Sequence, residues 1–427
     1  MSSRSVKLFN SGGLARKLKL NGKMKKREII EWLREAKNER SYTILTFDEV
    51  TLDAAIVADV LDLFRISSRS GRVWDRVNLE FCSGPIDLMV TSAMMMDCIK
   101  HLFLASDQTQ DDLMERFSTT LRVNASLKSL WLLIPMTEKS AACLGNGLKH
   151  NRSIDKLSLS GCNWDPEDDS GIDGDTKEKI LDETKKSQPQ TSSIASSLSS
   201  FHDAPTALAQ GLRLNSGIRT FDISCCYLQD EEIAPIIQSL VGHPFLEVLD
   251  VSRNLCRRKT LRVMADLVNS DESRLRTLDL REQARRNPLD ISALSQALRV
   301  NDTLESLKLS HNRLVDEQVL DLADALRGNS TLQELDLQYN QITERGIPEL
   351  TKHIKGISAL AILLLGGNTF GTEGFNLLEK LDDDDDSICT VNEEDMKNKA
   401  KREKREGRAS SSAKGTNYFG FLTGITE

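Results

Sequence analysis

One spacing recurs ten times in this 427-residue chain: apolar, two residues, apolar, one residue, apolar, two residues, then a polar or small side chain. The last three copies run Leu304-x-x-Leu307-x-Leu309-x-x-Asn312, Leu332-x-x-Leu335-x-Leu337-x-x-Asn340 and Leu360-x-x-Leu363-x-Leu365-x-x-Asn368. Earlier copies begin at Trp74, Ile99, Leu127, Ile154, Ile218, Leu246 and Leu275. From Ile218 onward the starts lie 28, 29, 29, 28 and 28 residues apart. A period this regular constrains the chain to a solenoid, in which each repeat buries its apolar face only against its neighbours.

The spacing has a physical cause. Side chains alternate along a strand, so the fourth and sixth positions share one face and form a continuous core when copies stack as a parallel sheet. The asparagine at position nine ends the strand, and its amide can satisfy backbone groups of the turn. Cys82, Cys162 and Cys226 take that place in three copies, where a buried thiol does a weaker version of the same work. Between strands the period changes to that of a helix. Residues 316–327 place Val319, Leu322, Ala323 and Leu326 on one stripe. Residues 138–149, 203–214, 231–240 and 290–299 read likewise, with Pro205 and Pro235 near two helix starts and Gly328 where a helix is expected to stop.

Asparagine alternating with cysteine in helix-closed units of 28–29 residues resembles the ribonuclease-inhibitor-like class of leucine-rich repeat proteins. The resemblance covers roughly residues 70–381. It implies an α/β horseshoe with parallel strands on the concave face and helices on the convex one. The chain is also similar to the repeat portions of NOD-like receptors and of Ran-type GTPase activators. No nucleotide-binding segment precedes the repeats in this sequence, so a stand-alone repeat module is expected.

Composition divides the chain further. Residues 1–40 carry twelve Lys/Arg against four Glu, and residues 382–427 carry eight against eleven Asp/Glu, which leaves −13 of the total −8 for residues 41–381. An acidic repeat body does not attract a polyphosphate, so nucleic acid is not an expected partner. Residues 1–22 read as a mobile basic terminus. Residues 23–70 read as a capping helix grouping Ile29, Ile30, Leu33 and Ala36, then a degenerate repeat with Leu45 and Phe47 inward. Residues 71–381 form the repeat domain. Copies at Ile154 and Ile218 are 64 residues apart, and the excess falls at residues 163–202, acidic and then serine-rich, which are expected to be a disordered insertion. Residues 382–427, acidic and then basic, read as a disordered tail. No stretch is long and apolar enough to span a membrane. Eight scattered cysteines argue for free thiols and a cytoplasmic setting, with nuclear entry a further reading of the basic cluster around Lys401. A monomer is expected.

Nothing in the chain has the spacing of a catalytic or phosphate-binding motif, and neither cofactor nor metal is expected. The acidic run near Asp173 fails as a calcium loop because Ile180 stands where a bidentate carboxylate is required. Function is therefore sought on the strand face. Its middle column reads Asn78, Phe103, Trp131, Ser158, Asp222, Asp250, Asp279, Lys308, Asp336, Leu364. Phe103, Trp131 and Leu133 place bulky apolar groups on a face expected to be wet, as an interface anchor does. Asp222, Asp250 and Asp279 form a three-strand acidic ladder suited to a basic segment, with Arg253, Arg281 and Lys308 nearby and Asp336 further along the column. The expected function is a non-enzymatic scaffold binding a protein on the concave face. The alternative is GTPase activation of the Ran type. That family relies on an early asparagine, and this chain has Cys82, Asp107, Pro135 and Cys162 at its early ninth positions.

Overall fold

The computed structural model describes residues 16–164, 203–354, 359–371, 373–374, 376–378 and 389–390. Strands and helices alternate. The strands are β1 (Arg16–Asn21), β2 (Tyr42–Asp48), β3 (Trp74–Glu80), β4 (Ile99–Ala105), β5 (Ser129–Leu133), β6 (Lys156–Ser158), β7 (Thr220–Asp222), β8 (Val248–Asp250), β9 (Thr277–Asp279), β10 (Ser306–Lys308), β11 (Glu334–Asp336) and β12 (Ile362–Leu364). A two-residue β13 (Cys389–Thr390) follows at the edge, inside the tail expected to lack structure. The helices are α1 (Lys26–Asn38), α2 (Ala54–Arg69), α3 (Ile86–Met95), α4 (Asp111–Leu121), α5 (Glu138–His150), α6 (Asp203–Leu212), α7 (Asp230–Leu240), α8 (Arg258–Val268), α9 (Ser292–Leu298), α10 (Asp316–Leu326) and α11 (Gly346–Ile354).

The strands lie in chain order in one open sheet, and every neighbouring pair is parallel. Helices pack on helices in the same order. Helices need about 10 Å of width and strands about 4.8 Å, so a stack of one each per repeat bends with the strand face inside. The fourth and sixth frame positions are buried throughout, from Val77 and Leu79 to Leu363 and Leu365. The sheet and helix layers share this single core.

The first forty residues differ from expectation. Residues 16–21 are not mobile: they form β1, pair with β2, and bury Leu18 and Leu20 completely. The helix expected to cap the solenoid is instead α1, the helix of this additional repeat, packed on α2 through Ile29, Leu33 and Ala36. Leu18 and Leu20 stand among cations that point the other way, so two leucines alone carry the strand signal. Leu45 and Phe47 are fully buried in the degenerate repeat as expected. Residues 1–15 lie outside the described residues.

Side-chain amides hold the turns. Asn340 Nδ2 donates to Leu309 O at 3.1 Å and Leu337 O at 2.9 Å, while its Oδ1 accepts from the amides of Asn312 and Leu314 at 3.0 Å each. Asn254, Asn312 and Asn368 repeat the pattern, and Gln283 fills the place with a longer arm to Val251 O. The thiols of Cys82, Cys162 and Cys226 donate to Phe47 O, Leu132 O and Leu159 O at 3.1–3.5 Å. Burial lifts the Cys82 thiol to about 11 and Cys162 to about 12, so both stay protonated donors.

A second ladder, outside the strand frame, closes the helices. Three residues before a frame start, Asn124, Asn151, Asn215, Asn301 and Asn329 each donate to the last carbonyls of the preceding repeat's helix, and Oδ1 accepts from the frame's first amide. Gly328 is not in the left-handed region, and the Asn329 side chain beside it closes α9 through Leu298 O. The first helical turns are tied across repeats as well. Asp230 accepts from the amides of Arg257, Lys259 and Thr260 at the start of α8.

The solenoid continues without a break across the long insertion. β6 pairs directly with β7, Leu157 opposite Phe221, although 64 residues separate them. α5 and α6 approach so closely that a Cβ on Gly211 would meet Gly145 Cα at 2.2 Å. Asn163 and Trp164 belong to the repeat, since Met136 N donates to Asn163 O and Trp164 is buried. The rest of the insertion lies outside the described residues.

Two outcomes follow from the ladders. Asn340→Ala removes partners from two amides and three carbonyls and is expected to cost about 3 kcal/mol, against about 1 kcal/mol for Cys226→Ala, measured by urea unfolding. His243 stands where the second ladder has asparagine. Its Nδ1 accepts from Phe245 N at 3.4 Å, and Nε2 is buried without a hydrogen-bond partner. Burial, and then Arg152, push its pKa down to about 4. The neutral form is the folded one, so stability present above the unfolded value is lost as pH falls from about 6.5 through 4, by about 3 kcal/mol in all. His243→Asn is expected to remove that loss and raise the melting midpoint; an unchanged acid limb in thermal melts would refute it.

Candidate functional site

Register places the whole expected column on one line. Asn78 opposes Phe103, Phe103 opposes Trp131, Trp131 opposes Ser158, and the line continues through Asp222, Asp250, Asp279, Lys308 and Asp336 to Leu364. The two repeats at the front extend it with Lys19 and Thr46. The column is less wet than alternation implies. Thr46, Asn78, Ser158, Asp279 and Asp336 are buried, because curvature leans neighbouring side chains over one another.

Phe103 and Trp131 are cross-strand neighbours and half-buried, and Leu133 lies two residues on, against the Gly161 turn. The guanidinium of Arg76 sits 5.2 Å from the Trp131 ring centroid, and the His101 ring lies 5.9 Å away at 51°. Burial, then the Arg76 charge, holds His101 below the usual histidine range, so its ring stays neutral at pH 7. Its buried Nδ1 has no hydrogen-bond partner. Arg76 and His101 thus flank the tryptophan on the strand face. Neither was singled out from sequence, since only position in the adjacent columns marks them.

The aspartates do a second job that the sequence also carries. Asp222, Asp250, Asp279 and Asp336 each accept through Oδ1 from the backbone amide two residues on, at 2.9–3.1 Å. Such turns hold the chain as it leaves the strand. Asp279, expected to be open to a partner, is 4% exposed and takes the Arg281 guanidinium on both oxygens. Asp336 is 6% exposed. Both are buried in the column and bonded to their own turns. Asp222 and Asp250 remain half-buried, as does Lys308. Asp250 has its carboxyl raised above the ordinary range, first by burial and then by the Asp279 charge.

A feature absent from the sequence reading lies at the rim, where strands leave the sheet. Frame position eight turns there with left-handed backbone. Gly161 and Gly367 adopt it at φ 75° and 73°. Cys225, Arg253, Glu282, His311 and Tyr339 adopt it at φ 53–59°, in five consecutive repeats. A non-glycine residue in that region costs about 1 kcal/mol. Arg253, Glu282, His311 and Tyr339, together with Tyr227, Arg285 and Arg313, wall an open groove of about 650 Å³. Tyr339 stacks on His311 at 4.3 Å, and its ring leaves room only for a glycine at 367. Among the described residues no group of histidines, cysteines or carboxylates is arranged to hold a metal, and no helix is long and apolar enough to cross a membrane.

The family model described as Leucine Rich repeat matches residues 328–348. That match, with the parallel sheet and its alternating helices, fits a leucine-rich repeat protein. No curated protein matches the chain.

Asp250→Asn keeps the acceptor for Ser252 N and removes a charge that burial and Asp279 disfavour. Its raised carboxyl pKa means that protonation favours the folded state, so the stabilisation is present at acid pH and lost as pH rises through the folded pKa. The variant is expected to melt higher than the parent at pH 7 and alike at pH 3. A lower midpoint at pH 7 would show that the charge itself supports the turn.

Proposed function

We propose that this leucine-rich-repeat solenoid is a non-enzymatic scaffold that binds a protein partner on the concave strand face, centred on Phe103, Trp131 and Leu133. The observation that carries the reading is Trp131 itself: a large aromatic on the inner face, only partly buried, and flanked by Arg76 and His101. Core positions of this sheet are already filled by Leu130 and Leu132 on the opposite side, so Trp131 is not needed to complete the interior. Aromatic anchors with an arginine beside them are the groups that dominate protein interfaces. Asp222, Asp250 and Lys308 supply a polar border two to five strands away on the same column. The 28- to 29-residue period and the asparagine–cysteine alternation support the ribonuclease-inhibitor-like class for these repeats.

Trp131→Ala separates binding from packing. Being only partly buried, the ring contributes less than a core aromatic, so the stability loss is expected to stay under about 2 kcal/mol, below the roughly 3 kcal/mol of a fully buried one. Partner capture by the full chain is expected to fall by about 2 kcal/mol or more. A thermal melt showing a core-sized loss, or undiminished capture by the variant in quantitative affinity purification, would overturn the reading.

A further inference from the structure

We propose that the rim groove walled by Tyr227, Arg253, Arg285, His311, Arg313 and Tyr339 binds an extended acidic segment of a partner protein. Carboxylates would lie on the guanidiniums, and flanking apolar side chains on the two tyrosine rings. The groove is separate from the Trp131 surface: it follows strands β7 to β11, whereas Trp131 is on β5.

Charge is the first argument. The groove wall carries three guanidiniums against one carboxylate, Glu282, on a repeat body whose net charge is −13 over residues 41–381. Glu282 already pairs with Arg253 at 2.9 Å. Arg313 is anchored by Nη1 on the carbonyls of Arg285 and Arg286, which fixes its guanidinium in place before any ligand arrives. The rings are held likewise. Arg285 stands 5.6 Å from the Tyr227 centroid, and His311 stacks on Tyr339. Even so, Tyr227 is 60% and Tyr339 43% exposed.

Backbone conformation is the second argument, independent of charge. Glycine is the inexpensive residue for the left-handed turn at frame position eight, and Gly161 and Gly367 bracket the region with it. Between them the chain places Arg253, Glu282, His311 and Tyr339 at that position, and Tyr227 and Arg313 in the same conformation two residues into their turns. Glu49 and Phe81 hold the same left-handed place in repeats outside the groove, so the turn itself tolerates side chains; what sets the groove apart is that neighbouring repeats use it to project arginine, histidine and tyrosine side by side.

Shape selects the ligand class. An open trough across five repeats is about 20 Å long, the reach of roughly six extended residues, and does not enclose a small molecule. A nucleic acid filling it would run its phosphates along the adjoining column of Asp222, Asp250, Asp279 and Asp336.

The test is fluorescence anisotropy on the full chain with a fluorescein-labelled peptide of six glutamates flanked by leucines. Its glutamine analogue and a ten-nucleotide oligothymidylate serve as comparisons. The glutamate peptide is expected to bind at least tenfold tighter than either comparison. Arg253→Ser with Arg285→Ser is expected to weaken it at least tenfold. His311→Gly with Tyr339→Gly is expected to weaken it as much while the melting midpoint holds or rises, because the turn relaxes. Trp131→Ala leaves this binding unchanged, so failure here and failure of the concave-face reading are distinguishable. Equal binding of the glutamine analogue, tighter binding of the oligonucleotide, full affinity in the arginine variant, or a lowered midpoint in the glycine variant would each overturn the proposal.

Discussion

Everything in this solenoid depends on how backbone groups are satisfied where a strand becomes a turn. Strands β6 to β12 are only three residues long, so ladder hydrogen bonds end almost as soon as they begin. Beyond them the chain dives beneath its neighbours, where water cannot reach and each orphan amide or carbonyl would cost a kilocalorie or more, of the order of 1–3 kcal/mol. A buried amide side chain solves both ends at once, because it carries donors and an acceptor in one plane. Asn312 and Asn340 show the result: each donates to a carbonyl of the repeat before it and accepts from a backbone amide of that repeat's turn. The asparagines that close the helices do the same on the other side of the strand.

With both strand ends secured from inside, a repeat needs little from its loop. That is why β6 and β7 pair in register although a long segment leaves and returns between them. Loop-closure entropy rises only slowly with length, and the contacts that define the repeat lie elsewhere. The same independence frees the exposed columns. Phe103 and Trp131 can occupy a face where Asp222 and Asp250 stand a few strands later, because neither set holds the repeat together through its neighbours in the core.

Exposed positions nevertheless serve more than one purpose. The aspartates of the inner column cap the amides that follow them, so part of the acidic ladder is structural chemistry in a place that resembles a binding surface. The rim shows the opposite relation. There glycine would serve the backbone better, and arginine, histidine and tyrosine stand instead. Position alone therefore does not rank the surfaces. What a side chain does for its own turn does.

The sequence by itself determined the period, the solenoid, the core positions and the membership of the inner column, because each of these follows from side-chain alternation within a few residues. It also located the insertion, by arithmetic on the period. The helix-closing asparagines were legible too, as Asn three residues before Leu127, Ile154, Ile218, Leu304 and Leu332, but they lie outside the strand frame. Only the tertiary structure decided which column members are covered, since burial of Asp279 and Asp336 depends on curvature and on what adjacent repeats lean over them. It alone supplied β1, whose two leucines carry no periodic signal until β2 lies beside them. The rim groove also came from structure alone. Tyr227, Arg253, Arg285, His311 and Tyr339 are about one period apart in the chain and become neighbours only when the repeats stack.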